Sequence, residues 1–320
     1  MAGPRLNGFE RDGLVFDVRD AGPRDGSVVV LLHGFPQDST AWSAVEPLLH
    51  AAGLRTLAPD QRGYSPGARP HGRGAYALRE ASADVVAMLD AAGVQRAHLV
   101  GHDWGGAVVW DATERYPDRF LSAVPISTPH PAAFAYAFTH SLQALRSWYF
   151  ALFQVPVLAE MAVAPALERW LRASGLPAER ARHYAERMRE PGALSGALGW
   201  YRGAGAGIAG SLLRTARSAT RTAGTAQTAG TAQTAGTAQT AGTTRTTSGA
   251  SSERARWSGP TTYVWGRHDP ALGRAGAERT AAFVRGDYRF VEVDGGHWLP
   301  ENNAGDVAAA ILARTVPDAP

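Results

Sequence analysis

Cysteine and lysine are both absent from the 320 residues. Without cysteine there is no disulfide framework, no zinc–thiolate site and no cysteine nucleophile. Without lysine there is no Schiff-base chemistry and no lysine-based phosphate loop; all 32 cationic residues are arginine. Charge of one sign is scarce as well. The arginines face 29 acids, a formal net charge of +3, and the two signs are interspersed, which argues against nucleic acid as a partner. Met1 to Asn7 contain no apolar segment of the kind a signal peptide needs, so a cytoplasmic location is expected. No long uninterrupted hydrophobic run is present either. The nearest, Ala132 to Val163, holds His140, Gln143, Arg146 and Pro156. It reads as a helical cap over a substrate rather than a membrane span.

What is present is a 45% hydrophobic chain, long enough for a sizeable core with an insertion, or for two domains. Leu14 to Arg19 alternates apolar and polar residues, as a half-buried strand does. Ser27 to Leu32 is a continuous apolar run that suits a buried parallel strand. Helix is expected over Trp42 to Ala52, strand over Arg55 to Ala58, and helix over Arg79 to Ala92. Strands follow at Ala97 to Val100 and Leu121 to Ile126. After Ser127 the pattern changes to proline-separated, aromatic-rich helices as far as Tyr201. Strands resume at Thr261 to Trp265 and Tyr288 to Val293. This order predicts an α/β fold with a mostly parallel sheet, helices on both faces, and a helical cap inserted between two halves of the core. The expected division is core over 1–128, cap over 129–256 and core again over 257–320.

Within the cap stretch, Thr222-Ala223-Gly224-Thr225-Ala226-Gln227 recurs at Thr228 and Thr234 and begins again at Thr240. About 216–252 is almost entirely Thr, Ala, Gly, Gln and Ser. Such a segment has no large apolar residue to bury and is predicted to be a disordered surface loop.

The most informative residues are Gly101-His102-Asp103-Trp104-Gly105, followed by Gly106. A strand runs in and a helix runs out. The spacing resembles the nucleophile elbow of the α/β-hydrolases, with Asp in the nucleophile's place. That residue type changes the chemistry. A serine attacking a saturated carbon would leave an ether, which water does not cleave. A carboxylate leaves an ester, which water can cleave. With a reference pKa near 4, the carboxylate needs no base to activate it, and the helix N-terminus behind it favours the anion. Asp103 is therefore the candidate nucleophile.

Three further motifs follow the order that this fold requires. His33-Gly34-Phe35-Pro36 closes the first buried strand, where the residue after His-Gly supplies a backbone N–H. Phe35 and Trp104 N–H are the candidate oxyanion hole. His33 itself is expected to be a structural hydrogen-bonding group. Trp265-Gly266-Arg267-His268-Asp269 follows the next-to-last strand, and Asp269 is the candidate acid that orients a histidine. The competing position, Ile126-Ser127-Thr128-Pro129, has no carboxylate, and Asp294 reads as part of a turn. Gly295-Gly296-His297-Trp298 follows the last strand and makes His297 the candidate base.

Together with Asp60-Gln61-Arg62-Gly63-Tyr64, these strings make the chain resemble the epoxide hydrolases of the α/β-hydrolase fold, over nearly its whole length except the repeat. The resemblance implies two cap tyrosines that hold the epoxide oxygen. One is Tyr149, ahead of Phe153-Gln154-Val155-Pro156; the other is Tyr201, in Trp200-Tyr201-Arg202. The chemistry agrees. An opening epoxide makes a poor alkoxide leaving group that needs a donor, and a tyrosine hydroxyl is still protonated at neutral pH. The pocket is expected to involve Phe35, Trp104, Trp148, Phe153 and Trp298, with a hydrophobic epoxide as the small-molecule substrate. No cofactor and no metal is called for. The core motifs are shared with haloalkane dehalogenases, so a haloalkane or haloacid dehalogenase stays an alternative, with Trp104 N–H and Trp148 as halide donors. A non-catalytic ligand-binding module on the same scaffold is a further one.

Overall fold

The apolar runs become the centre of one eight-stranded sheet. In a computed structural model that describes residues 5–203 and 257–315, the strands are β1 (Gly8–Arg11), β2 (Leu14–Ala21), β3 (Val28–Leu32), β4 (Arg55–Pro59), β5 (Ala97–His102), β6 (Phe120–Ile126), β7 (Thr261–Gly266) and β8 (Tyr288–Val293). Their spatial order is β1-β2-β4-β3-β5-β6-β7-β8. β1 and β2 run antiparallel to their neighbours, and the other strands pair in parallel. The repeat at 216–252 lies outside the described residues.

β3 is buried at every position, because helices cover both faces of the sheet. Val30 and Leu32 join a core with helices α2 (Leu78–Ala91) and α3 (Trp104–Arg115). Val29 and Leu31 join a second core with α1 (Glu46–Ala51) and α13 (Ala304–Thr315). Strand alternation thus divides one apolar run between two layers. Between β6 and β7 in the chain lie the cap helices α4 (Pro131–His140), α5 (Gln143–Arg146), α6 (Tyr149–Phe153), α7 (Leu158–Val163), α8 (Leu167–Ala173), α9 (Ala178–Arg187) and α10 (193–203). α11 (Arg274–Arg279) and α12 (Leu299–Asn302) flank β8. Among the described residues no helix is long and apolar enough to cross a membrane.

Two local readings differ from the fold. The helix expected from Trp42 begins later, at Glu46, after a separate 3-10 turn over Ser39–Trp42. Pro47 lacks an N–H and belongs in a first turn, which places the α-helical start beside it. β1 carries no alternating signature long enough to read. It forms by pairing with β2, Phe9 stacking on Phe16 at 4.6 Å.

The Asp60-to-Tyr64 string is a structural knot. Gln61 N–H donates to His33 Nε2 at 3.1 Å, which leaves His33 Nδ1 to donate to the Gly34 carbonyl at 3.0 Å. His33 thereby fixes the loop that carries Phe35. Arg62 donates twice to Asp84, both at 2.8 Å, from a buried position. Its own carbonyl accepts from Trp200 Nε1 at 2.7 Å, tying α10 of the cap to the core. Removing one partner of a buried ion pair strands the other charge. Asp84→Ala is therefore expected to lower stability by about 3–5 kcal/mol, read as a lower urea midpoint. A midpoint within experimental error of the parent would contradict this account of the knot.

Candidate active site

β5 ends at His102 and α3 begins at Trp104, so the chain must reverse at one residue. Asp103 does this with φ 52° and ψ −118°, a conformation that non-glycine residues rarely adopt. Its neighbours make room. A Cβ on Gly101 would collide with the Gly105 backbone, and one on Gly105 would collide with the Leu32 and His33 carbonyls. Asp103 N–H donates to the Ile126 carbonyl at 3.2 Å, and its own carbonyl accepts from Ala107 N–H and Thr128 Oγ1. The carboxylate then stands above the sheet. Oδ1 accepts from Phe35 N–H at 2.9 Å, and Oδ2 lies 3.7 Å from His297 Nε2. Trp104 N–H, the first of α3, has no intrahelical partner.

His297 sits in the loop between β8 and α12, with its carbonyl held by His102 Nε2 at 2.8 Å and Ser127 Oγ at 3.3 Å. Its Nδ1 donates to Asp269 Oδ2 at 2.8 Å. Asp269 is itself fixed, Oδ1 accepting from Ala271 and Leu272 N–H at 2.8 and 2.9 Å. Asp294 is exposed and pairs with His268 and Arg267 instead. The imidazole thus lies between two carboxylates. Burial works against its charge, but Asp269 and Asp103 outweigh burial and push its pKa up to about 10. Burial likewise opposes the Asp103 anion, yet His297 and the Phe35 N–H hold its pKa below the ordinary carboxylate value.

The two cap strings are bolted to each other. Gln154 Nε2 donates to the Tyr201 carbonyl at 2.8 Å, and Arg202 Nε donates to the Phe153 carbonyl at 3.0 Å. Arg202 also holds Glu160 with two contacts of 3.0 Å. The flanking Trp200 and Arg202 are both anchored, and Tyr201 between them lines the same cavity as Asp103, its ring perpendicular to Trp104 at 5.0 Å. Tyr149 lies 5.9 Å from it, ring to ring. Burial, aided for both by the Asp103 charge, raises both phenol pKa values, so both hydroxyls stay protonated. Asp103, Tyr149 and Tyr201 all line one cavity of about 510 Å³, whose remaining walls are mostly apolar.

Residues 27–304 match a family model described as alpha/beta hydrolase fold. "Epoxide hydrolase A" of Mycobacterium tuberculosis is 33% identical over 98% of this chain and 97% of its own. The chain is an epoxide hydrolase-like member of the α/β-hydrolase family. "Epoxide hydrolase 4" of Mus musculus is 27% identical, covering 94% of this hydrolase and 76% of the relative. The crystal structure of Epoxide Hydrolase A from Mycobacterium thermoresistibile superposes with a TM-score of 0.70 at 26% identity, over 95% and 96% of the two chains.

The wall of the hydrolase's cavity differs from the expected one. Of the five residues expected there, Trp104 lines it. Trp148 is 66% exposed and outside it. Trp148 and Tyr149 are consecutive, and consecutive residues at a helix start point about 100° apart, so the tyrosine's inward position turns the tryptophan out. Phe35, Phe153 and Trp298 are buried behind the lining. Phe35 and Phe153 support the Tyr201 ring at 5.3 and 4.8 Å, and Trp298 Nε1 donates to Ser174. Sequence reasoning did not single out Phe134, Phe138 and Phe150, which do line the cavity, or His102, which positions the His297 loop. The 134 and 138 spacing on α4 was the available signal, since residues four apart share a helix face.

Proposed function

We propose that this hydrolase opens epoxides to vicinal diols through an alkyl ester on Asp103. One observation carries the reading: a carboxylate at the elbow and two protonated tyrosines share a mostly apolar cavity. Oδ1 is held by Phe35 N–H, which leaves Oδ2 to attack a ring carbon. As that C–O bond forms, the ring C–O bond breaks, and the departing oxygen takes its hydrogen bond and then its proton from Tyr149 and Tyr201. His297, its own proton passed back to the tyrosinate, next removes a proton from water, and the hydroxide adds to the ester carbonyl. Phe35 and Trp104 N–H hold the resulting oxyanion; its collapse expels the diol oxygen, which His297 protonates, and the acid left on Asp103 returns its proton to His297, restoring the carboxylate. Asp269 keeps His297 oriented throughout.

The charges set the timing. In the free site Asp103 and Asp269 keep His297 protonated. Ester formation neutralises Asp103, removes one of the two anions, and lowers the histidine's pKa when a base is required. Alkylation needs Asp103 ionised, so it should persist into acid. Ester hydrolysis needs neutral His297, so its rate should rise with pH through an apparent pKa below about 10. Single-turnover tryptophan fluorescence across a pH series separates the two steps, since Trp104 adjoins the nucleophile. A hydrolysis rate flat across pH, or one falling with rising pH, would remove His297 as the base.

A halide as leaving group finds less support, because Trp148, the expected second donor, lies outside the cavity. The deciding assay is a panel of aryl and alkyl epoxides and short bromoalkanes, scored for diol and for released halide. Halide release without diol formation would overturn the epoxide reading.

A further inference from the structure

The cap turns large apolar side chains outward. Most of the exposed large apolar residues among the described ones fall in one stretch, 142–170, which forms α5 to α8. α5 is inside out. Its buried residue is Gln143, which donates to the Ala271 carbonyl at 2.7 Å and to Ser147 Oγ at 3.0 Å, and accepts from Gly273 N–H at 2.9 Å. Leu142 before it and Leu145 within it stand 68% and 69% exposed. α7 repeats the pattern. Ala159 faces in, while Leu158 and Met161 face out, three residues apart and so on one helix face. Folding in water alone would place these side chains the other way round. Two indoles complete the surface. Trp148 and Trp170 are exposed, and their rings lie 6.4 and 6.5 Å from that of Tyr149, which lines the cavity. One aromatic ring thus separates this face from the cavity.

The charge around the face is mostly cationic. Arg146, Arg169 and Arg172 are exposed. Arg146 uses Nη1 on the Asp269 carbonyl, at 3.1 Å. The side chains of Arg169 and Arg172 enter no hydrogen bond or ion pair among the described residues. Of the acids, Glu160 is held by Arg202 and Ser195, and Glu168 is half-buried. A second copy on this face would bring arginine against arginine. Residues 204–256 hold only Ile208, Leu212 and Leu213 as large apolar residues, too few to cover it. Aliphatic side chains, exposed tryptophans and arginines on one face match the layers of an anionic bilayer surface: acyl chains, headgroup level and phosphates. At four to seven residues each, α5 to α8 are too short to span a membrane, but they can lie in its surface.

We infer that the cap face formed by α5 to α8 docks on anionic phospholipid bilayers, with Leu145, Leu158 and Met161 among the acyl chains and Arg169 and Arg172 on the phosphates. Docking there brings the cavity wall at Tyr149 to the lipid surface, where apolar substrates collect.

The test mixes the full-length hydrolase with vesicles of phosphatidylcholine alone or of an equal mixture of phosphatidylcholine and phosphatidylglycerol, and reads binding by flotation. Binding to the mixed vesicles should exceed that to phosphatidylcholine by at least about ten-fold at low salt, and the preference should shrink as salt rises. Leu145→Ser with Met161→Ser should weaken binding by about ten-fold or more. Arg169→Gln with Arg172→Gln should remove most of the preference for phosphatidylglycerol. All four side chains are exposed, so the far-UV circular dichroism of both variants should match the parent. In the parent, brominated acyl chains should quench tryptophan emission, because Trp148 and Trp170 meet the lipid; this reads docking without any variant. Absence of binding to either vesicle, equal binding to both, or unchanged binding in the Leu145 and Met161 variant overturns the inference. So does a lipid-free dimer, seen by analytical ultracentrifugation, that the same variant dissolves, since the face would then belong to a second copy. Vesicle binding is read without turnover, so it stands or falls apart from the epoxide reading.

Discussion

His297→Gln is expected to stall the hydrolase as a covalent adduct. Asp103 needs no base to attack, because a carboxylate with a reference pKa near 4 is already ionised at neutral pH, and Phe35 N–H still holds its Oδ1 in the variant. Ester formation should therefore survive the substitution, while hydrolysis loses its general base and slows by about 10²–10⁴-fold. Glutamine cannot take a proton from water. Intact-protein mass spectrometry after mixing with substrate should show the parent mass plus the whole mass of the epoxide, since ring opening expels nothing. A bromoalkane would add only the alkyl group, so the same spectrum distinguishes the two leaving groups. Asp103→Ala in the same background should show no adduct. Diol formation at the parental rate without an adduct would rule out the covalent route.

Replacing both cap tyrosines should be nearly as severe. With Tyr149→Phe or Tyr201→Phe alone, one hydroxyl still meets the departing oxygen, and alkylation should slow by about ten-fold or more. With both replaced, the alkoxide leaves without a donor in an apolar cavity, and the loss should reach about 10³-fold or beyond. The ring positions should hold in the variants. Tyr201 is held by its backbone and its ring contacts: Gln154 grips its carbonyl, and Phe35, Phe150 and Phe153 surround its ring. Stopped-flow measurement of the alkylation phase reads the effect directly. Parental epoxide turnover in the double variant would transfer the assignment to a leaving group that needs no proton.

How far the sequence could be read follows from the range of the interactions. β3 and β5 were legible because burial on both faces leaves an apolar run that needs no partner to recognise. The elbow was legible because close backbone approach requires glycine at 101 and 105, whatever else the chain does. Asp269 and His297 were legible through their places after β7 and β8, although 28 residues separate them in the chain and a 2.8 Å contact joins them in space. The cavity was not legible in the same way. It forms where α3 faces α4, and neither helix alone says which residues look across the gap. Trp148 shows the limit most clearly: it adjoins Tyr149 in sequence and points elsewhere.

The backbone at Asp103 carries a further implication. At φ 52° and ψ −118° a side chain of any kind is unwelcome, at a cost of about 1–3 kcal/mol. Only glycine would sit there without strain. The position that the proposed mechanism cannot give up is therefore one that folding alone would fill differently. Activity and robustness pull apart at a single residue, and an Asp103→Gly protein should melt at a higher temperature than the working enzyme while turning over nothing. A lower midpoint would mean that the carboxylate's bonds to Phe35 and His297 outweigh the strain. In the expected case, a lineage released from the need to hydrolyse would drift toward glycine here first. An aspartate kept at this torsion is then the mark of a chain still held to its reaction.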